Sequence, residues 1–294
     1  MTMDRYPDGD HFQPVAPPEG AGGFTVAVGG LSVGFEGVPS AVLEACRDHY
    51  RPFLSDAAPQ VTFRLGPGWE GYLDLPPDGY LRLEERPLGP GRLLVSHTFA
   101  ARWSGASGEL RSASLENFET LKAGIENTLR WVVADLALES EGFVLHASGL
   151  VRDGRAYLFF GHSGAGKSTV ASLSPDCLLL SDDLVLLLRK KGAWMAATTP
   201  FAGTLPQTHK QAGLYPLAAL YRLVQAPEDF VRPLSLAEAA GRVLSCCPFV
   251  TDPPARQDRL FPLVEACCRA VPVRALHFTK SRTFWALAAP EANP

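Results

Sequence analysis

The chain has 294 residues, 46% of them hydrophobic and 20% charged, with a formal net charge of -4. That is enough apolar surface for one large or two modest folded domains, which excludes a disordered chain, and the charge balance offers no broad basic face of the kind nucleic acid requires. No uninterrupted apolar run approaches the ~18 residues of a membrane span, so neither a nucleic acid nor a membrane is expected as a partner.

Residues 1–22 read as a flexible leader, with Pro14, Pro17, Pro18 and several glycines and without the apolar stretch of a signal peptide. Residues 23–112 read as a small, sheet-rich α+β domain. Strands are expected at Phe24–Val28, Val61–Leu65, Tyr80–Leu83 and Arg92–Val95, with turns at Pro76–Gly79 and Pro87–Gly91 and one helix near Ser40–Tyr50. A bridging helix is expected within residues 113–140. There Leu115, Phe118, Leu121, Ile125, Leu129, Val132 and Leu136 recur at steps of three or four and form one apolar stripe.

From residue 141 to 294 the pattern becomes α/β. Phe143–His146 and Ala156–Phe160 read as buried strands, followed by a glycine-rich turn and a helix starting at Lys167. Cys177–Leu180 and Leu184–Leu188 read as further strands. Ser235 and Glu238 form a capping box for a helix over Leu236–Leu244, and a second helix near Gln257–Ala270 precedes a strand at Leu276–Phe278. The six cysteines include two adjacent pairs, Cys246–Cys247 and Cys267–Cys268, neither with C-x-x-C spacing. They read as small apolar side chains rather than a disulfide framework, in keeping with a reducing, cytoplasmic setting.

One segment carries the chemistry. Gly161-His162-Ser163-Gly164-Ala165-Gly166-Lys167-Ser168-Thr169 fits G-x-x-x-x-G-K-[ST] at every specified position, between an apolar run and helix-compatible residues. The glycines let the backbone turn and approach an anion closely, and successive N–H groups then form an anion nest. Lys167 supplies a cation for the β- and γ-phosphates of a nucleotide, and Ser168 a hydroxyl for Mg²⁺. A second element, Leu178-Leu179-Leu180-Ser181-Asp182-Asp183, ends an apolar run in two acids after 14 intervening residues, Ser168 to Ser181. Asp182 and Asp183 are therefore candidates for holding Mg²⁺ and for accepting the proton of a hydroxyl, with the assignment between them open.

Together these elements resemble the superfamily of the HPr kinase/phosphorylase C-terminal domain and the ATP-dependent phosphoenolpyruvate carboxykinases. The resemblance rests on Gly161, Ser163, Gly164, Gly166, Lys167, Ser168 and the closely following Asp182-Asp183, and is strong over residues 142–190. His146, in Val144-Leu145-His146-Ala147-Ser148-Gly149, falls at the upstream position where HPr kinases carry a histidine, and becomes a candidate catalytic neighbour. Between Thr199 and Trp285 the chain is more distantly similar to variant kinases of the group found beside peptide natural-product genes. Thr169 stands where HPr kinases carry Glu, and the C-terminal Arg/Gly segment linked to phosphorylase activity is missing.

The resemblance implies a mixed sheet flanked by helices, with nucleotide at the carboxyl ends of the strands. It implies an ATP- and Mg²⁺-dependent kinase acting on a hydroxyl, a serine by expectation, of a small protein or peptide, with some self-association. The alternative is a nucleotide-binding module without catalysis, a sensor or scaffold. Arg242 and Arg256 are further basic residues that could approach the phosphates from the C-terminal half.

Overall fold

The computed structural model describes residues 4–75, 82–203, 205, 211–249 and 254–289. It divides into two units, Met1–Val132 and Val133–Pro294. Among the described residues no helix is long and apolar enough to cross a membrane.

The first unit is built on a seven-stranded mixed sheet. In chain order it contains β1 (Gly22–Val28), β2 (Leu31–Val38), α1 (Ser40–Tyr50), β3 (Val61–Pro67), β4 (Glu84–Leu88), β5 (Gly91–Val95), β6 (Phe99–Ser104) and β7 (Ser107–Ser112). The spatial order is β1-β2-β3-β7-β6-β5-β4. β2 and β3 are parallel because α1 carries the chain back between them, while β4 to β7 run as an antiparallel meander. Alternation decides the core: Phe24, Phe35 and Phe63 lie side by side on one face, and Val42, Cys46 and Tyr50 of α1 are buried with them.

Two expectations are corrected in this unit. The leader is not loose over its described part. Phe12 is fully buried, the Asp4 carboxylate accepts both arms of Arg82, and Tyr6 donates to Glu84. Arg111, only 2% exposed, donates to the carbonyls of His11 and Gln13 and so ties the segment to β7. The expected strand at Tyr80–Leu83 does not form at Arg82 and Leu83, where strand pairing begins instead at Glu84; its first half, like the turn at Pro76–Gly79, lies outside the described residues.

The long helix α2 (Phe118–Glu139) begins later than its apolar stripe, and the division between the units falls inside it. The start is set by Asn117, whose side chain accepts from the Thr120 amide as a helix cap.

The second unit follows with β8 (Gly142–Arg152), β9 (Arg155–Phe160), α3 (Lys167–Ser172), β10 (Leu178–Ser181), β11 (Leu184–Lys190), β12 (Ala193–Ala197), β13 (Leu214–Gln225), β14 (Phe230–Pro233), α4 (Leu236–Leu244), α5 (Pro254–Ala270), β15 (Val273–Phe278) and α6 (Trp285–Ala288). β8 and β13 are long enough to serve three ladders each, β8 also pairing with β10. β8 pairs with β11 through residues 142–146 and with β9 through residues 147–152. β13 pairs with β12 at its start and with β9 and β15, both parallel, further along. The architecture is therefore a mixed α/β arrangement with helices on both faces, as the sequence implies. Val170 and Ala171 of α3 share one core with Phe159, Tyr221, Leu276 and Phe278. On the other face, Ala239 and Val243 of α4 and Leu260 and Val264 of α5 cover Leu158, Phe160 and Leu220. Alternation along β9 sends Phe159 to the first core and Phe160 to the second.

Candidate functional site

The glycine-rich segment lies at the carboxyl end of β9 and leads directly into α3, the strand–loop–helix setting an anion nest needs. Two of its glycines are obligatory. Gly164 has φ 77°, and Gly166 has φ 110° with no room for a side chain, since a Cβ there would lie 2.7 Å from the Phe278 ring. The loop is braced from outside by Gln225, whose side-chain amide donates to the Gly164 carbonyl at 2.7 Å. Within the loop, the Ala165 amide bonds the His162 carbonyl at 3.1 Å, while the His162, Ser163 and Gly164 positions are exposed.

Lys167 is 8% exposed and its ammonium donates to the carbonyls of Gly161 (3.0 Å) and His162 (3.3 Å). Burial lowers its pKa from the ordinary lysine value, opposed by the nearby Cys246 and Asp183 side chains, which favour the charged form. A partly desolvated cation held by neutral carbonyls is suited to receive an anion. Ser168 and Thr169 follow at half-buried positions in the first turn of α3.

The two aspartates diverge. β10 and β11 run as one broken strand along the same edge of β8, with Ser181 opposite Gly149 and Leu184 opposite His146. Between them the chain bends, and Asp182 and Asp183 occupy the bend. The Asp182 side chain is buried, 3% exposed, and accepts from the backbone amides of Gly203 (2.8 Å) and Leu205 (2.9 Å). Asp183 goes the other way. Its carboxylate lies 3.7 Å from His146 Nε2 and close enough to Lys167 to act on its charge. His146, Asp183 and Lys167 are thus brought together, while Asp182 is directed to the segment after Thr199-Pro200-Phe201.

Strand register places these groups on one line. The Ala147 amide donates to the Asp183 carbonyl, Ala147 pairs with Phe160, Phe160 with Arg222, Arg222 with Ala275, and Ala275 with Arg232. With strands about 4.8 Å apart, Asp183 sits two strands to one side of the residue that precedes the loop, and Arg222 one strand to the other.

Of the basic residues expected to approach from the C-terminal half, Arg256 is corrected. It is 5% exposed, donates to Asp135 at 2.6 Å and to the Phe249 carbonyl at 2.7 Å, and so serves the core. Arg242 is exposed in the last turn of α4. Three features here escape sequence reasoning. Cys246 accepts through its carbonyl from the His146 amide (2.8 Å). Gln225 braces the loop, and Arg222 flanks it. Each depends on strand register or a tertiary contact, and no local pattern marks them.

The cysteines are all free thiols. Cys247, Cys267 and Cys268 pack in or against the α4–α5 core, where burial pushes their thiols up, that of Cys268 to about 11. Among the described residues no group of three or more His, Cys, Asp or Glu side chains could hold a metal ion by itself. Beside the loop the hard-oxygen side chains are the Ser168 hydroxyl and the Asp183 carboxylate, groups of the type that suit a hard cation together with water.

The fold and loop define a mixed α/β protein carrying a glycine-rich strand–loop–helix turn of Walker A pattern in its second unit. A protein-family model, SynChlorMet cassette protein ScmC, matches residues 114–286, well over half of the chain. The chain belongs to this family. No curated protein matches it.

Proposed function

We propose that this protein binds ATP with Mg²⁺ at the Gly161–Thr169 loop and transfers the γ-phosphoryl group to a hydroxyl, a serine by preference, of a small protein or peptide. The observation that supports the reading is Asp183, 3.7 Å from His146 and acting on the charge of Lys167, beside a loop whose Gly164 and Gly166 take positive φ and whose Gly166 has no room for a side chain. The loop amides and Lys167 hold the β- and γ-phosphates, and Ser168 with Asp183 contributes oxygen ligands for Mg²⁺. When bound, the metal neutralises charge on the phosphate oxygens.

Asp183 also faces the acceptor and takes the hydroxyl proton as the new O–P bond forms and the bond to the β-phosphate oxygen breaks, releasing ADP. His146, 3.7 Å from that carboxylate, orients it. Asp182 positions the bend rather than the phosphates. Catalysis on this reading is mostly positioning and electrostatic stabilisation.

One observation favours the second reading, a nucleotide-binding module without turnover: Asp182 is engaged by two backbone amides, of Gly203 and Leu205. Both readings require nucleotide binding, and turnover separates them. Purified protein with γ-labelled ATP and Mg²⁺ is expected to release labelled phosphate slowly and to label a peptide acceptor. Saturation at a hundredfold excess over Kd stabilises the fold by about 2.7 kcal/mol, a shift that Lys167→Ala abolishes together with turnover. Undiminished turnover by Lys167→Ala overturns the assignment.

A further inference from the structure

The row of paired residues that carries Asp183 continues past the loop into a cationic shelf, and the kinase reading makes no use of it. Directly paired residues share a face of a sheet. Phe160, Arg222, Ala275 and Arg232 therefore lie on the face that α4 and α5 cover further down. One position on, Val224 and Phe230 both pair with His277. Phe230 is 45% exposed and its ring stacks on the His277 imidazole, with centroids 4.1 Å apart and planes 10° from parallel.

α4 runs alongside this shelf. Its beginning is tied to β14 by Arg232 and Glu238 at 3.7 Å, and the carbonyl of Cys246, just after its end, bonds the His146 amide. The shelf thus has the helix along one side, the loop along the other, and the His146–Asp183 pair at its far end. Of its two guanidiniums, Arg232 has Glu238 as an acidic neighbour at 3.7 Å. Glu238 reaches Arg232 but is committed to the Ser235 capping box. The His277 pKa is lowered by burial and then by the fields of Arg232 and Arg222.

We propose that this shelf docks an acidic segment of the phosphoryl acceptor. Arg222 and Arg232 pair with carboxylates flanking the reactive hydroxyl, and Phe230 offers an apolar contact at the outer end. The proposal rests on the kinase reading for the word acceptor. The binding surface itself does not. Two guanidiniums about two strand spacings apart, roughly 9–10 Å, suit carboxylates on alternate residues of an extended peptide, which lie about 6.6–6.8 Å apart and carry flexible side chains.

The test uses the full chain and a fluorescein-labelled synthetic peptide, a serine flanked on both sides by glutamates, against a matched peptide with lysines in their place. Fluorescence anisotropy is expected to show binding of the glutamate peptide alone, weakening with added salt. Arg222→Gln combined with Arg232→Gln is expected to weaken it at least about tenfold, equivalent to about 1.4 kcal/mol, with MgATP affinity unchanged. Arg232→Glu, at an exposed strand-edge position, is expected to repeat the loss without altering the half-buried Arg222 site.

Equal binding of both peptides, binding of neither, or wild-type affinity in the Arg232→Glu variant overturns the proposal. Loss of MgATP affinity in the double variant with a normal melting curve also overturns it, by assigning Arg222 to the nucleotide. Absence of MgATP binding in the wild type, with glutamate-peptide binding intact, sinks the kinase reading and leaves the shelf standing.

Discussion

Asp182→Asn and Asp183→Asn are expected to fail in opposite ways. Asp182 is buried and accepts two backbone amides at 2.8 and 2.9 Å. Asparagine keeps one acceptor oxygen and turns an NH₂ group toward the other amide, so one charge-assisted bond is weakened and one donor is left facing a donor. A bond to a charged group is worth roughly 1.5–3 kcal/mol, and a stranded buried donor costs about 1–3 kcal/mol. Allowing for relaxation, the loss should be about 2–4 kcal/mol. In a unit of this size each kcal/mol moves Tm by about 2–4 °C, so a fall of roughly 4–16 °C is expected. Asp183 is partly exposed and meets His146 at 3.7 Å, a pairing worth no more than about 1 kcal/mol. Its asparagine variant should melt within ~4 °C of wild type and lose phosphoryl transfer almost completely. Differential scanning calorimetry and a γ-labelled ATP assay on the same preparations measure both quantities. Equal Tm losses, or a larger loss for Asp183→Asn, would refute the division between the two acids.

Lys167 gives a pH signature. Burial lowers its folded-state pKa below the ordinary value of 10.5, so between the two values the unfolded chain binds more protons. Stability then rises with pH through that window. Relative to Lys167→Met, the wild type should gain stability as pH rises toward the ordinary lysine value of 10.5, read by urea unfolding; a constant difference contradicts the lowered pKa. In the first unit, Arg111→Met removes the two donors that hold the His11 and Gln13 carbonyls. Limited proteolysis should then cut between residues 11 and 20 faster than in wild type, and an unchanged digestion pattern would show that Phe12 alone anchors the segment.

Local signals made much of the second unit legible. The Ser235 capping box gave α4 its bounds, because the cap is satisfied within four residues. The glycine–lysine pattern gave the loop and the end of β9, since its chemistry tolerates few other residues. β13 was not read as a strand. Leu-Tyr-Pro-Leu-Ala-Ala-Leu-Tyr-Arg-Leu-Val-Gln has no period-two alternation, and its Leu and Ala favour helix by propensity; burial on both faces between β9 and β15 overrides that preference. The hairpin turn at Asp153-Gly154, both with positive φ, does carry a local signal in its Asp-Gly pair. In the leader the proline and glycine content describes an irregular path, and irregular paths can still be pinned, here by Phe12 and Arg111.

For the site, residue types were legible and their orientations were not. Two adjacent acids on a regular strand would project to opposite faces, which leaves open which one meets the loop. The answer lies in Ser181. Its hydroxyl accepts from the amides of Asp183 (3.1 Å) and Leu184 (3.2 Å) and donates to the Phe201 carbonyl (2.9 Å). The Asp183 amide is thereby drawn back to Ser181 while its carbonyl still bonds the Ala147 amide. The ladder is half kept and half broken, and the chain bends at that point. Thr199, two residues past the end of β12, donates to the Leu184 carbonyl at 2.6 Å and closes the same corner. With the Phe201 and Gly203 backbone brought alongside, Asp182 finds its amide partners there, and Asp183 is left on the side of His146 and Lys167. The serine before the acid pair, rather than either acid, sets which carboxylate lies on the side of the glycine-rich loop.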